Sequence, residues 1–216
     1  LGGANTGVGG VIRDVLGADH HPIAITDVLC FGEPTTTFDE LPEGSLHPRR
    51  VRDGVVAGVA DYGNKIGLPT VAGAVVYDRG YVANPLVYAG CIGVATDWQP
   101  PQRPEPGDRC VVLGGRTGRD GIRGATFSSM TMDATTGDVA GASVQIGDPI
   151  VEKLLIDALA MQIINRRLEV QARNGGNYLF AQVEQEDISR TADATLVSLT
   201  PIGDQWEAAT RDVRAI

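Results

Sequence analysis

Apolar and polar positions along the first hundred residues alternate between two periods. Val8, Val11, Ile12, Val15 and Leu16 follow the i, i+3, i+4, i+7, i+8 stripe of an amphipathic helix, with Thr6 placed to cap its start. Gly7, Gly10, Asp14 and Gly17 share another face, so a carboxylate there is flanked by bare backbone. Ile23 to Phe31 is a β-branched and apolar run that predicts a strand, and Asp27 inside it requires a partner. A polar stretch from Gly32 to Pro48 predicts a long loop. Residues 49 to 66 predict a second helix, with Val51, Val55, Val56, Val59 and Ala60 inward and Gly67 and Pro69 ending it. Thr70 to Tyr77 and Leu86 to Ala95 predict two strands, and their short connection favours pairing them with each other, antiparallel.

The pattern breaks at residues 97 to 108, where four prolines fall within residues 100–106. This proline-rich segment is the expected domain boundary, with one domain over 1–100, a linker over 101–108 and a second domain over 109–216. Arg109 to Leu113 predicts a short buried strand that runs into a glycine-rich stretch, 114–125, with five glycines and three arginines. Asp148 and Pro149 form an N-cap and N1 pair for a helix from about 149 to 167. Beyond Arg167 the pattern weakens, apart from alternation near Thr195 to Leu199.

Composition narrows the partners. A formal charge of −9 argues against a broad nucleic-acid surface, because such binding rests on neutralising many phosphates with Lys and Arg. It leaves room for a small anion held by backbone amides, one or two arginines and Mg²⁺. No stretch reaches the roughly 20 apolar residues of a membrane helix, and no signal-peptide pattern opens the chain, so the expectation is a cytoplasmic protein with no membrane partner. Cys30, Cys91 and Cys110 are far apart and lie in apolar runs, as reduced core thiols do.

Three groups are chemically informative. Arg13 and Asp14 are adjacent on the first helix, about 100° apart, and so can address different parts of one ligand, arginine a phosphate or carboxylate and aspartate Mg²⁺. The glycine-rich stretch, with Gly118, Arg119 and Gly121 at its centre, suits an anion, although it is neither a Walker loop nor a dinucleotide fingerprint. Gln145 lies just before the 149–167 helix, where its amide and the helix dipole could face an anion. His20, His21 and His47 lie in or beside loops and are read as solvated or capping residues. Asp61-Tyr62-Gly63-Asn64 is read as a helix-ending turn.

Five segments in order, 2–14, 22–27, 54–64, 114–127 and 144–149, resemble the synthetase subunit of formylglycinamide ribonucleotide amidotransferase. They include Gly-Val-Ile-Arg-Asp ending at Asp14, Asp-Tyr-Gly-Asn at 61–64, Gly-Gly-Arg-Thr-Gly-Arg-Asp-Gly at 114–121 and Val-Gln-Ile-Gly-Asp-Pro at 144–149. The resemblance implies an α/β (α+β) fold of the aminoimidazole ribonucleotide synthetase type, an incomplete N-terminal domain followed by the start of a C-terminal-type domain. It also implies a ligase of purine biosynthesis, using ATP and Mg²⁺ to convert formylglycinamide ribonucleotide to the amidine. Ammonia would come from a glutaminase subunit or domain, with a small bridging subunit as a further partner. By the family pattern, Arg13 and Gln145 contact substrate and Asp14 holds Mg²⁺. The family's histidine element is absent from this chain, residues after about 168 do not match, and Val170-Gln171-Ala172-Arg173-Asn174-Gly175-Gly176 lacks the aspartate expected there. The alternative reading is therefore a non-catalytic fragment, or a nucleotide- or phosphate-binding assembly module of the same superfamily.

Overall fold

In the computed structural model, the described residues are 1–95, 100, 103–114, 131, 133–136, 147–188 and 192–216. They divide into two compact units, Leu1–Glu152 and Lys153–Ile216. The division falls within a helix and not at the proline-rich segment, where the sequence placed a boundary. Residues 105–108 of that segment form a turn, in which Asp108 N–H donates to Glu105 O.

The first unit is built from helices α1 (Gly2–Gly17) and α2 (Pro48–Ile66) and strands β1 (His21–Phe31), β2 (Thr70–Tyr77) and β3 (Leu86–Val94). Helix α1 starts with Leu1 as its N-cap, and Thr6 lies inside it. The earlier start has a tertiary cause, because Ala4 and Asn5 are buried and Asn5 is tied to α2. After α1 the chain turns through Asp19, whose φ is 58°, into β1. Helix α2 is capped by His47, whose Nδ1 accepts from Arg49 N–H, and Pro48 fits the first turn, which needs no donor. It ends at Gly67 with φ 83°, a left-handed C-terminus that suits glycine.

The sheet corrects one expectation. Strands β2 and β3 do not pair with each other; both pair with β1, in the order β2-β1-β3. β1 runs parallel to β2, with Asp27 opposite Gly73, and antiparallel to β3, with Asp27 opposite Ala89. The arrangement goes with burial: Ala24, Ile25, Leu29, Cys30 and Phe31 are all buried on β1, and the central position gives that strand a neighbour on both edges. The parallel β1-α2-β2 connection follows from the intervening helix. Val8 and Ile12 of α1, Val55, Val59, Tyr62 and Ile66 of α2, and Ile25, Leu29 and Phe31 of β1 form one core.

Residues 109–113 are not the expected buried strand. They are irregular and exposed, with Val112 91% exposed. A strand is held by a neighbour's ladder, and no described strand pairs with this segment. Cys110 is accordingly exposed and not a core thiol, while Cys30 is buried and Cys91 half-buried.

The third helix, α3 (Pro149–Arg173), starts as the sequence predicts: Asp148 Oδ1 accepts from Ile150 N–H at 3.0 Å and Val151 N–H at 3.2 Å. It runs past Arg167 because Leu168 is fully buried in the second unit. That unit also holds the antiparallel hairpin of β4 (Tyr178–Ile188) and β5 (Ala192–Pro201), followed by α4 (Trp206–Arg214). Leu168, Tyr178, Ala181, Val183 and Ala209 form its core. Among the described residues no helix is long and apolar enough to cross a membrane.

Candidate functional site

Arg13 and Asp14 lie near the C-terminal end of α1, as expected. Asp14 is exposed. Arg13 is anchored: its Nη1 donates to Tyr62 Oη at 2.9 Å and lies 3.6 Å from Glu152 Oε2, while its side chain stays 45% exposed. Tyr62 Oη in turn donates to Glu152 Oε2. One Nη1 N–H and the Tyr62 O–H thus have acceptors, and the rest of the half-exposed guanidinium is an accessible fork for an anion.

Two glycines make this arrangement possible. Gly9 and Arg13 are four residues apart on one face of α1, and a Cβ on Gly9 would stand 2.5 Å from the Tyr62 ring. The absence of that carbon lets the tyrosine of α2 lie against the backbone of α1, with its hydroxyl beside Gly9 and within reach of the Arg13 side chain from the next turn. Just before α3, a Cβ on Gly147 would stand 2.8 Å from Arg13 Nη1 and 3.4 Å from Tyr62 Oη. The backbone at the start of α3 therefore approaches the pair closely.

The local electrostatics follow from burial. The Tyr62 phenol is pushed far above its ordinary value, first by desolvation and then by its hydrogen bond to the Glu152 carboxylate. It is a neutral hydroxyl throughout the physiological range. Glu152 Oε1 is buried without a hydrogen-bond partner among the described residues. Immediately before Tyr62 on α2, Asp61 accepts from Asn5 Nδ2 at 2.9 Å and pairs with Lys65 at 2.7 Å. Asp27 is 6% exposed, and neither carboxylate oxygen has a described partner; desolvation raises its pKa. The partner that the sequence required for Asp27 is therefore not found among the described residues.

Gln145, Gly118, Arg119 and Gly121 lie outside the described residues. His47 is a capping residue, as read from the sequence, and His20 Nδ1 lies 2.6 Å from Ala18 O. Tyr62 and Glu152 were missed as site residues. The segment 61–64 belongs to the body of α2 and is not its end. The spacing Val55, Val59, Tyr62, Ile66 marks the buried stripe, and a hydroxyl on such a stripe is the available signal, since a buried phenol needs a partner. Among the described residues no group of three His, Cys, Asp or Glu gathers into a metal cage.

Known proteins resemble this chain over most of its length. Residues 2–95 match the family described as AIR synthase related protein, N-terminal domain. The phosphoribosylformylglycinamidine synthase subunit PurL of Halobacterium salinarum is 46% identical over 178 residues, 81% of this chain and 24% of that protein. The subunit of the same name from Thermoplasma acidophilum is 44% identical over 160 residues, 73% of this chain and 21% of its own length. Among solved structures, Thermotoga maritima PurL complexed with FGAR matches with a TM-score of 0.50 and 35% identity, covering 84% of this chain and 26% of that one. The chain spans about a quarter of the length of the relatives it matches.

Proposed function

Because the chain belongs to the family of phosphoribosylformylglycinamidine synthase PurL subunits, we propose that it supplies part of the site at which formylglycinamide ribonucleotide is converted to formylglycinamidine ribonucleotide. The reaction class is ATP-dependent carbon–nitrogen ligation in purine biosynthesis. The observation that carries this reading is the anchored, half-exposed guanidinium of Arg13. A relative that matches over most of this chain was crystallised with that ribonucleotide.

In this reading Arg13 holds an anionic group of the ribonucleotide, and Gln145 contributes an amide contact beside the start of α3. Gly118, Arg119 and Gly121 belong to a phosphate-binding loop. Asp14 supplies one exposed carboxylate. This donor set fits Mg²⁺, which binds through one or two carboxylates and otherwise through phosphate oxygens and water. Such an ion would neutralise charge on the nucleotide phosphates during phosphoryl transfer. The work of the chain's own residues is to position anions before charge develops. Glutamine-derived ammonia, a glutaminase partner, a small bridging subunit and a cytoplasmic location belong to the same proposal.

The test is direct titration of the 216-residue chain with formylglycinamide ribonucleotide. Saturable binding that Arg13→Ala weakens about tenfold or more, the scale of a lost charge-assisted contact, is the expected result. Undiminished binding in Arg13→Ala removes Arg13 from the site. Turnover with ATP, Mg²⁺, ribonucleotide and free ammonia is expected to be negligible for this polypeptide alone, because catalytic groups act as a unit and most of the relatives' length is not in it. Turnover near that of a complete PurL would overturn this, whereas binding without turnover fits the substrate-binding module.

A further inference from the structure

We propose that Tyr62 and Glu152 are positioning residues for Arg13, acting as a two-step hydrogen-bond strut that fixes the guanidinium in one rotamer at the mouth of the site. This rests on the reading of Arg13 as a substrate contact, but the strut itself is visible without any ligand.

An arginine on a helix surface has several rotatable bonds, and ordering it costs side-chain entropy. Here that cost is met in advance. Tyr62 is fully buried, so its ring has no freedom to follow a mobile partner. Its hydroxyl must donate to one acceptor and can accept from one donor, which sets the polarity of the chain Arg13 N–H to Tyr62 O–H to Glu152 carboxylate. Glu152 completes the strut from α3, with its side chain only 16% exposed. The carboxylate also gives the guanidinium a charge partner at 3.6 Å, which helps hold the cation when no anionic ligand is bound. Gly9 and Gly147 clear the two sides of the slot, and an added methyl at either would enter the space of the strut.

The surface alternative is that Arg13 pairs with Glu152 as an ordinary exposed ion pair, which contributes little. The buried hydroxyl between them distinguishes the two. A surface pair needs no intermediary, whereas a buried phenol placed between the two charges couples the rotamer of Arg13 to the packed core.

The experiment uses the 216-residue chain labelled with ¹⁵N. In the wild type, the Arg13 side-chain N–H groups are expected to give resolved, slowly averaging signals. Tyr62→Phe keeps the ring in the core and removes only the hydroxyl, and in it those signals should collapse to the averaged pattern of a mobile arginine. Glu152→Ala should do the same, so the result does not depend on one variant folding. Affinity for formylglycinamide ribonucleotide should fall about 3- to 10-fold in Tyr62→Phe, the loss expected for one hydrogen bond's worth of ordering. It should fall no further when Tyr62→Phe is added to Arg13→Ala, because the effect passes through Arg13. An Arg13 spectrum unchanged in Tyr62→Phe, or a Tyr62→Phe effect that persists in the Arg13→Ala background, overturns the proposal. If Arg13→Ala alone leaves affinity unchanged, the substrate role of Arg13 fails, and the spectrum still decides whether the strut exists.

Discussion

The side chain of Tyr62 occupies the space that a Cβ on Gly9 would need, with two ring carbons and the hydroxyl oxygen 2.5 to 2.7 Å from that position. Two effects therefore oppose each other in Gly9→Ala. Alanine favours the helix by about 1 kcal/mol over glycine, while forcing a fully buried ring to move costs about 1–3 kcal/mol. The ring cannot yield toward solvent, so sterics should win. We expect a lower melting temperature and loss of the Arg13–Tyr62 bond, read by thermal denaturation and the arginine side-chain spectrum. A rise in melting temperature would show that the ring has room to shift.

Asp27 gives a stability that depends on pH. Its folded-state pKa lies above the ordinary 3.8 because burial disfavours the carboxylate. The folded state thus binds the proton more tightly than the unfolded chain. The stability linked to this group is fully present below about pH 3.8 and is lost as pH rises through the folded value. Asp27→Asn should therefore stabilise the protein at pH 7–8, because the amide has the shape of the acid and carries no charge into the buried site, by about 1.4 kcal/mol for each unit by which the carboxyl pKa is raised. The gain should shrink toward pH 4. Denaturant melts at pH 4, 6 and 8 test this, and a gain of equal size at all three would disprove the titration argument.

In the second unit Asn165 grips the backbone of β4 at both ends of its amide. Val183 N–H donates to Oδ1 at 2.7 Å, and Nδ2 donates to Val183 O at 3.0 Å. The side chain stands where a further strand would pair. Asn165→Ala leaves both main-chain groups unpaired and should cost about 1–3 kcal/mol. Faster amide exchange at Val183 in the variant is the specific sign, and unchanged exchange would mean that water replaces the asparagine without loss.

His47 caps α2 through Nδ1 and also reaches Thr36 O at 2.9 Å through Nε2. His47→Ala removes the cap and the tie to the preceding loop, and should lower stability by about 1 kcal/mol. His47→Asn keeps a capping side chain and should recover most of it. Equal losses in both variants would assign the effect to the loop contact instead of the cap.

Helices and strands of the first unit were legible because their apolar periods are strong: Val8 and Ile12, Val55 and Val59, and Ile25, Leu29 and Phe31 of β1 point into the core, although Ile23, Val28 and Val56 are exposed. Strand neighbours were not legible. The short 78–85 connection suggested a hairpin, but proximity in sequence competes with the burial of a central strand, and β1 took the place between β2 and β3. β4 was missed because Tyr178-Leu179-Phe180 offers no clean alternation, and with it went the reason for α3 to continue to Arg173. Arg13 was visible as a lone cation next to an aspartate. Its strut was not, since Tyr62 and Glu152 lie 49 and 90 positions from their partners, and the packing of α1 against α2 and the approach of the first turn of α3 bring them near.

The central placement of β1 has a consequence for synthesis. His21 pairs with Val94, 94 − 21 = 73 positions later. At roughly 5–20 residues per second, a ribosome needs on the order of 4–15 s to make the intervening chain. Throughout that interval the nascent β1 carries Ile25, Leu29 and Phe31 with no strand on its β3 side. The emerging polypeptide therefore offers chaperones, or neighbouring nascent chains, an adhesive strand edge that the finished sheet conceals.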